Sequence, residues 1–244
     1  MRRLLCLLLA VTLSLSAAPA FAALPDFDIT CAGGPVCQAA FREVSKDITS
    51  SLAYKSLSPA EATGVIGFGV GAFGSYTPTQ DSQAWETLTG TKVTGVAVSG
   101  ISVHKGLPFG FDVGASYSVI PSTSARLWGA ELRYAVLTGG VGSPALAIRG
   151  AYAATTGIDQ VKVTTSSIDA SISKGFAILT PYVGAGWVRG TVDPDDSTLL
   201  EKETINRAKV FAGMRISFVI FELTPEYERI GDNNNYNLRM GFSF

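Results

Sequence analysis

The last nine residues, Tyr236-Asn237-Leu238-Arg239-Met240-Gly241-Phe242-Ser243-Phe244, put an apolar or aromatic side chain at every even position and a polar or small one at every odd position. Side chains along a strand point alternately to opposite faces, so as a strand this segment shows one face suited to lipid and one suited to water.

The other end of the chain carries an export pattern. Arg2 and Arg3 precede an apolar run over residues 4–15, and small residues then lead to Ala20-Phe21-Ala22, as in a secretory signal peptide cleaved after Ala22. The run is short of the ~20 residues that a retained membrane anchor would need. Cys6 leaves with the signal, and Cys31 and Cys37 remain as an even pair in an oxidising compartment, where a disulfide closing a small loop is expected. A metal site would need further ligands, the chain's one histidine is His104, and neither metal nor cofactor is expected.

Loss of Arg2 and Arg3 lowers Lys+Arg from 19 to 17 against 20 Asp+Glu, a net charge near −3. Nucleic acid, which demands a basic face, is not an expected partner. Apolar residues make up 47% of the chain and charged ones 16%, yet beyond the signal no apolar run reaches the length of a spanning helix. A membrane protein without such helices must satisfy its backbone hydrogen bonds in a closed barrel. The 26 glycines suit many strands and turns, as they would suit a soluble sandwich.

Residues 23–63 form a distinct N-terminal segment. Phe41, Val44, Ile48 and Leu52 recur at helical intervals, which predicts an amphipathic helix over about 36–56 with Arg42, Glu43, Lys46 and Asp47 facing away. Ser58-Pro59-Ala60-Glu61 has the spacing of a capping box with proline at the first helical position, and equally that of a turn before the first strand.

Residues 64–244 read as ten strands: 64–76, 92–104, 109–119, 125–138, 144–156, 160–173, 176–190, 206–218, 220–230 and 235–244; eight or twelve also fit. Each is long enough for the ~9 to 11 residues of a tilted crossing. Phe109, Phe111, Val113, Ala115, Tyr117 and Val119 share one face, opposite Asp112, Ser116 and Ser118. Trp128, Ala130, Leu132, Tyr134 and Val136 oppose Glu131 and Arg133, and Phe221, Leu223, Pro225 and Tyr227 oppose Glu222, Thr224 and Glu226. In the sixth strand Val161 and Val163 have the opposite parity to Ile168, Ala170 and Ile172, which calls for a bulge or a shorter strand. The two longest links, 77–91 and 191–205, fall at the same end, as expected of external loops, and an even strand number would leave both termini periplasmic. The glycine-rich runs 67–74 and 184–186 read as bends or close packing of strands.

By parity the inner face carries Asp112, Glu131, Arg133, Arg149, Lys209, Arg215, Glu222, Glu226 and Arg239. Such nearly balanced charges either pair into a lattice that fills a narrow bore or line a wet channel. Arg215 and Arg239 are the expected partners of Glu222 and Glu226. His104 falls at the rim of the second strand beside Lys105, solvated and without a catalytic partner, so no enzymatic activity is expected. The N-terminal helix is expected to plug the lumen, to dock beneath the barrel, or to lie on the inner leaflet.

Signal, alternating strands and terminal phenylalanine together resemble the small outer-membrane β-barrel proteins of Gram-negative bacteria, the broad class of OmpA-like and OmpX-like barrels and minor porins, over residues 64–244. The resemblance implies an all-β, closed antiparallel transmembrane barrel in the outer membrane, in contact with its lipid. It also implies that the closing strand, with Tyr236, Leu238, Met240, Phe242 and Phe244, is read by the barrel-assembly machinery. Three roles are then expected: a narrow or gated pore for small solutes, a closed scaffold acting through its external loops, or a transporter of an apolar ligand.

Overall fold

The computed structural model describes residues 28–121, 123–140, 142–158, 160–195 and 199–244. The expected signal and its cleavage point lie outside them. Ten strands form one closed sheet: β1 (Phe68–Pro78), β2 (Gly95–Gly106), β3 (Phe111–Val119), β4 (Arg126–Thr138), β5 (Ala145–Thr156), β6 (Val161–Ser173), β7 (Leu179–Pro194), β8 (Glu203–Phe218), β9 (Phe221–Ile230) and β10 (Asn233–Ser243). Each pairs antiparallel with its neighbours in sequence, and β1 closes the ring on β10 from Gly69↔Ser243 to Tyr76↔Tyr236. The seam is extended by reciprocal backbone hydrogen bonds between Phe68 and Phe244, at 3.0 and 2.9 Å. A sheet with no free edge leaves no ladder of unpaired amides to face lipid.

Alternation then sorts the side chains. On β10, Tyr236, Leu238, Met240 and Phe242 point outward and are exposed, as is Phe244, while Asn235, Asn237 and Arg239 are buried inside. The outward aromatics form two bands. Near one end stand Phe111 against Tyr134 (4.8 Å between rings) and Phe221 against Phe242 (5.9 Å); near the other stand Trp128 against Tyr152 (5.5 Å) and Tyr227 against Tyr236 (5.8 Å). On β9 the bands are separated by the run from Phe221 to Tyr227, about 20 Å of strand. An apolar belt between aromatic girdles, around a polar interior, makes this a transmembrane β-barrel.

The connections 79–94, 120–125, 157–160, 195–202 and 231–232 gather at one end, the loop end. The links 107–110, 139–144, 174–178 and 219–220 gather at the other, the turn end, together with Phe244. The first long loop holds a helix, α2 (Ser82–Thr89), that the sequence did not announce. The Asp81 side chain caps it by accepting from the amides of Gln83 and Ala84, and Gly90 closes it in the left-handed conformation (φ 72°).

Three local expectations are corrected, and one open pair of alternatives is decided. The N-terminal helix, α1 (Pro35–Ser51), stops before residue 56, and residues 53–63 run on without regular structure. Of the two readings of Ser58-Pro59-Ala60-Glu61, the helix start fails and the stretch bends before the first strand, its polar groups taken up by the barrel wall. Phe109 is not the first residue of a strand but sits in a tight turn, exposed, at φ 64°. β6 is neither bulged nor short: its register against β5 and β7 runs unbroken, and Val161 and Val163 face inward with Thr165, Asp169, Ser171 and Ser173.

Candidate functional site: a segment threaded through the bore

The N-terminal segment lies inside the barrel and travels its length. Its apolar stripe, Phe41, Val44, Ile48 and Leu52, is fully buried at the loop end. There it packs on inward valines and leucines of the wall, Val96 and Val98 of β2, Leu127 of β4, Val161 and Val163 of β6 and Val192 of β7, and on Trp85 and Leu88 of α2. This explains the parity of Val161 and Val163. Where the apolar stripe of α1 meets β6, the wall is apolar on both faces, and alternation no longer tells inside from outside.

Asp47, on the helix face turned away from the apolar stripe, is buried. It accepts from the Trp85 indole Nε1 (2.8 Å), the Asn233 amide Nδ2 (2.6 Å) and the Gln80 backbone N–H (3.2 Å), so one carboxylate ties α1 to α2 and to the start of β10. Hydrogen bonds of this number are what make a buried carboxylate tolerable. Above it, the Gln38 side chain donates to Glu203 (2.8 Å), and Arg42 pairs with the same carboxylate at 3.2 Å. Thr30 N–H donates to Leu88 O (3.0 Å). The Cys31–Cys37 disulfide, with Cα atoms 5.9 Å apart, closes a loop just before and into the first turn of α1. Two inward glycines make room for the segment: a Cβ on Gly190 would run into the Thr49 side chain, and one on Gly129 would lie 2.6 Å from the Tyr54 ring.

Below the apolar tier the bore is charged. Lys55 of the segment pairs with Glu228 of β9, and its ammonium also donates to Ser50 O at 3.1 Å. Glu228 is 3.0 Å from Lys209 of β8, which lies 3.4 Å from Asp169 of β6. Asp169 accepts from Arg149 of β5 (2.8 Å), Arg149 stands 3.9 Å from Glu131 of β4, and Glu131 is 3.1 Å from His104 of β2. Signs alternate from Lys55 to Glu131, and Phe211 lies under two of the cations, 5.4 Å from Arg149 and 5.0 Å from Lys209. The Ser56 hydroxyl donates to Glu131, a second tie between segment and girdle.

At the turn end Arg133 donates to Pro59 O (2.7 Å) and Ser58 Oγ (3.1 Å) of the segment and pairs with Asp112 (3.2 Å). Thr63 N–H donates to Asp112 (2.9 Å), and Glu61 pairs with Arg215. Glu222 lies 3.6 Å from both Arg215 and Arg239. Arg133, Arg215, Arg239, Glu61 and Glu222 border a polar hollow of about 260 Å³ at the turn end.

All nine charges assigned inward by parity have their side chains on the inner face, with Arg215 partly exposed at the turn end. Glu222 has the arginine partners expected of it, but Glu226 does not: it accepts from Tyr182 Oη (2.7 Å) and Asn237 (3.4 Å). His104 is not a solvated rim residue; it is buried and faces the bore. Sequence reasoning also missed Asp169, Glu228, Lys55 and Asp47. Asp169 was hidden by the apparent parity change of the apolar residues in β6, whereas Glu228 simply continues the inward series of Glu222, Thr224 and Glu226 and was legible.

No protein-family model matches the sequence, and no curated protein matches it. Among solved structures the barrel is similar to the translocator domain of the autotransporter NalP from Neisseria meningitidis, at 11% identity over 84% of this chain and 96% of that one, with a TM-score of 0.43. It is similar to KdgM porin, at 7% identity over 72% and 99% of the two chains, TM-score 0.38. It is also similar to the outer membrane protein OprG from Pseudomonas aeruginosa, at 10% identity over 77% and 99%, TM-score 0.36. These superpositions are loose, and the fold is read from the chain's own strand pairing.

The two tiers differ in what holds the segment. α1 is held at the loop end mainly by hydrophobic burial, with Asp47, Gln38 and Arg42 adding directional ties, whereas residues 55–63 are held below it by ionic and hydrogen-bonded contacts. Together they occupy the bore along its length.

Proposed function

We propose that the protein is a non-enzymatic barrel of the bacterial outer membrane whose bore is closed at rest by its own residues 28–63, and which passes small solutes when that segment yields. The observation that carries this reading is the charged wall behind the segment. Lys209, Asp169, Arg149, Glu131, Arg133 and Asp112 pair with one another, and Glu228 keeps Lys209 when Lys55 leaves, so withdrawal of residues 55–63 would leave a wetted lining of nearly balanced charge rather than a row of stranded ions. A ten-stranded barrel is only modestly wider than an eight-stranded one, which side chains fill, so the emptied path suits small polar solutes. The polar hollow at the turn end does not favour carriage of an apolar ligand.

Conductance across a planar bilayer tests it. The full chain should be silent or open rarely, and a chain lacking residues 28–63 should conduct steadily. If that shortened chain assembles as a β-barrel and stays silent, the pore reading fails. A permanently closed scaffold would then be favoured by the sealing of the loop end, where α2 is already committed to α1 through Trp85 and Leu88.

A further inference from the structure

We propose that residues 28–34 lie on the outer side of the membrane, so that the chain crosses the bilayer eleven times, ten as wall and once through its own bore.

The contacts of the segment are ordered along the barrel. Ile29 N–H donates to Gln160 in the β5–β6 loop, Thr30 meets Leu88 in the β1–β2 loop, and Gln38 reaches the start of β8. Asp47 and Ser50 meet Asn233 and Asn235 at the start of β10, Lys55 meets Glu228, Pro59 meets Arg133, and Thr63 meets Asp112. Gly67 N–H then donates to Gly64 O, and β1 sets off back toward the loops. Residues 28 and 244 therefore stand at opposite ends, where an even strand number alone had suggested one side for both.

The asymmetry supplies the sidedness. The loop end has the long connections 79–94 and 195–202, and the turn end has links as short as 219–220. In bacterial outer-membrane barrels the long connections face the exterior and the short ones the periplasm. Asp28, Thr30, Ala32, Gly34, Pro35 and Val36 are exposed at the loop end. The stretch is moored there by the Cys31–Cys37 ring, by Leu88 and Gln160, and by the Gln38 and Arg42 contacts to Glu203. Any peptide joined ahead of Asp28 would be displayed to the medium. This holds whether or not residues 55–63 ever leave the bore, so it stands or falls apart from the pore reading.

The test uses the full chain in the outer membrane of a Gram-negative host, with an epitope inserted ahead of Asp28, between Leu199 and Leu200, or between Gly142 and Ser143. On intact cells antibody should bind the first two and reach the third only after permeabilisation. An epitope ahead of Asp28 that stays hidden until permeabilisation, while the 199–200 epitope is bound, overturns the proposal. A variant without insertions guards against failed assembly: Ala32→Cys with Cys31→Ser and Cys37→Ser, treated with a membrane-impermeant maleimide. It should label on intact cells as fully as a Leu199→Cys control in the same background, and labelling only after lysis again overturns the proposal.

Discussion

The Lys55 ammonium of the threaded segment rests against the Glu228 carboxylate of β9, with the two side chains only 2% and 1% exposed. Burial of that depth makes each ion depend on the other, and Glu228 is further held by Lys209 and Asn235. Lys55→Ala should weaken seating of the segment by about 3 kcal/mol, the cost of removing one partner from a buried pair. Adding Glu228→Gln should recover part of that loss, a coupling that the double-variant cycle isolates. Protease cleavage within residues 52–63 in detergent-solubilised barrel reads the effect; equal cleavage in Lys55→Ala and the parent would remove Lys55 from the latch.

Gly190 offers a way to push the helix off the wall without touching the lipid face. Gly190→Leu places a branched side chain where Thr49 now lies, and β7 is too tightly paired on both edges to give way. Overpacking of this kind costs about 1–3 kcal/mol. The expected result is an intact barrel with raised bilayer conductance. A silent Gly190→Leu barrel with unchanged protease resistance would show that α1 can shift and still seal.

Phe41 is wholly buried in the apolar tier between the helix and the wall valines. Phe41→Ala removes a large side chain from a site where a rigid sheet limits collapse, at a cost of about 3–5 kcal/mol to docking of α1. Hydrogen exchange should rise across Pro35–Ser51 while the strand amides stay protected. Uniform loss of protection would mean that α1 is integral to the barrel rather than a docked part.

Asp47 is the junction of α1, α2 and β10. Trp85→Phe keeps the ring and deletes the 2.8 Å hydrogen bond, and should cost about 1–3 kcal/mol by leaving a buried acceptor short of one donor. The check is thermal loss of near-ultraviolet dichroism, expected at lower temperature than in the parent. An unchanged transition would assign the seal to hydrophobic packing alone.

The lipid face carries an independent expectation. Met240 lies between Leu238 and Phe242 on the outward row of β10, and Met240→Arg should lower stability by up to about 2–4 kcal/mol, the cost of an arginine near the bilayer centre. Arg239, one residue away, already points inward and pairs with Glu222. Normal assembly of Met240→Arg in the membrane would argue against lipid contact there.

Legibility followed the solvent on each side of the wall. Where lipid lies outside and polar groups inside, as at Trp128 to Arg133 or Phe221 to Tyr227, period-two alternation displayed both faces, and the inward acids and bases could be named by counting. Under the apolar stripe of α1 at the loop end the contrast vanished: Val96, Val98, Val161, Val163 and Val192 are apolar and inside because the stripe is apolar. That is why β6 looked irregular and Asp169 was lost. His104 was misplaced for a related reason, since a residue near the end of a strand looks solvated until something fills the bore beside it.

What the chain's own order of residues determined is the wall: alternation marks which side chains meet lipid, and a closed ring is the form that leaves no strand edge in the bilayer. What only the tertiary structure decided is the content of the bore. The stripe of α1 announces that it needs an apolar surface, but lumen, rim and inner leaflet all offer one. The choice is made by partners far away in sequence, Glu228 for Lys55, Arg133 for Pro59 and Trp85 for Asp47, which come within reach only when the ring has closed.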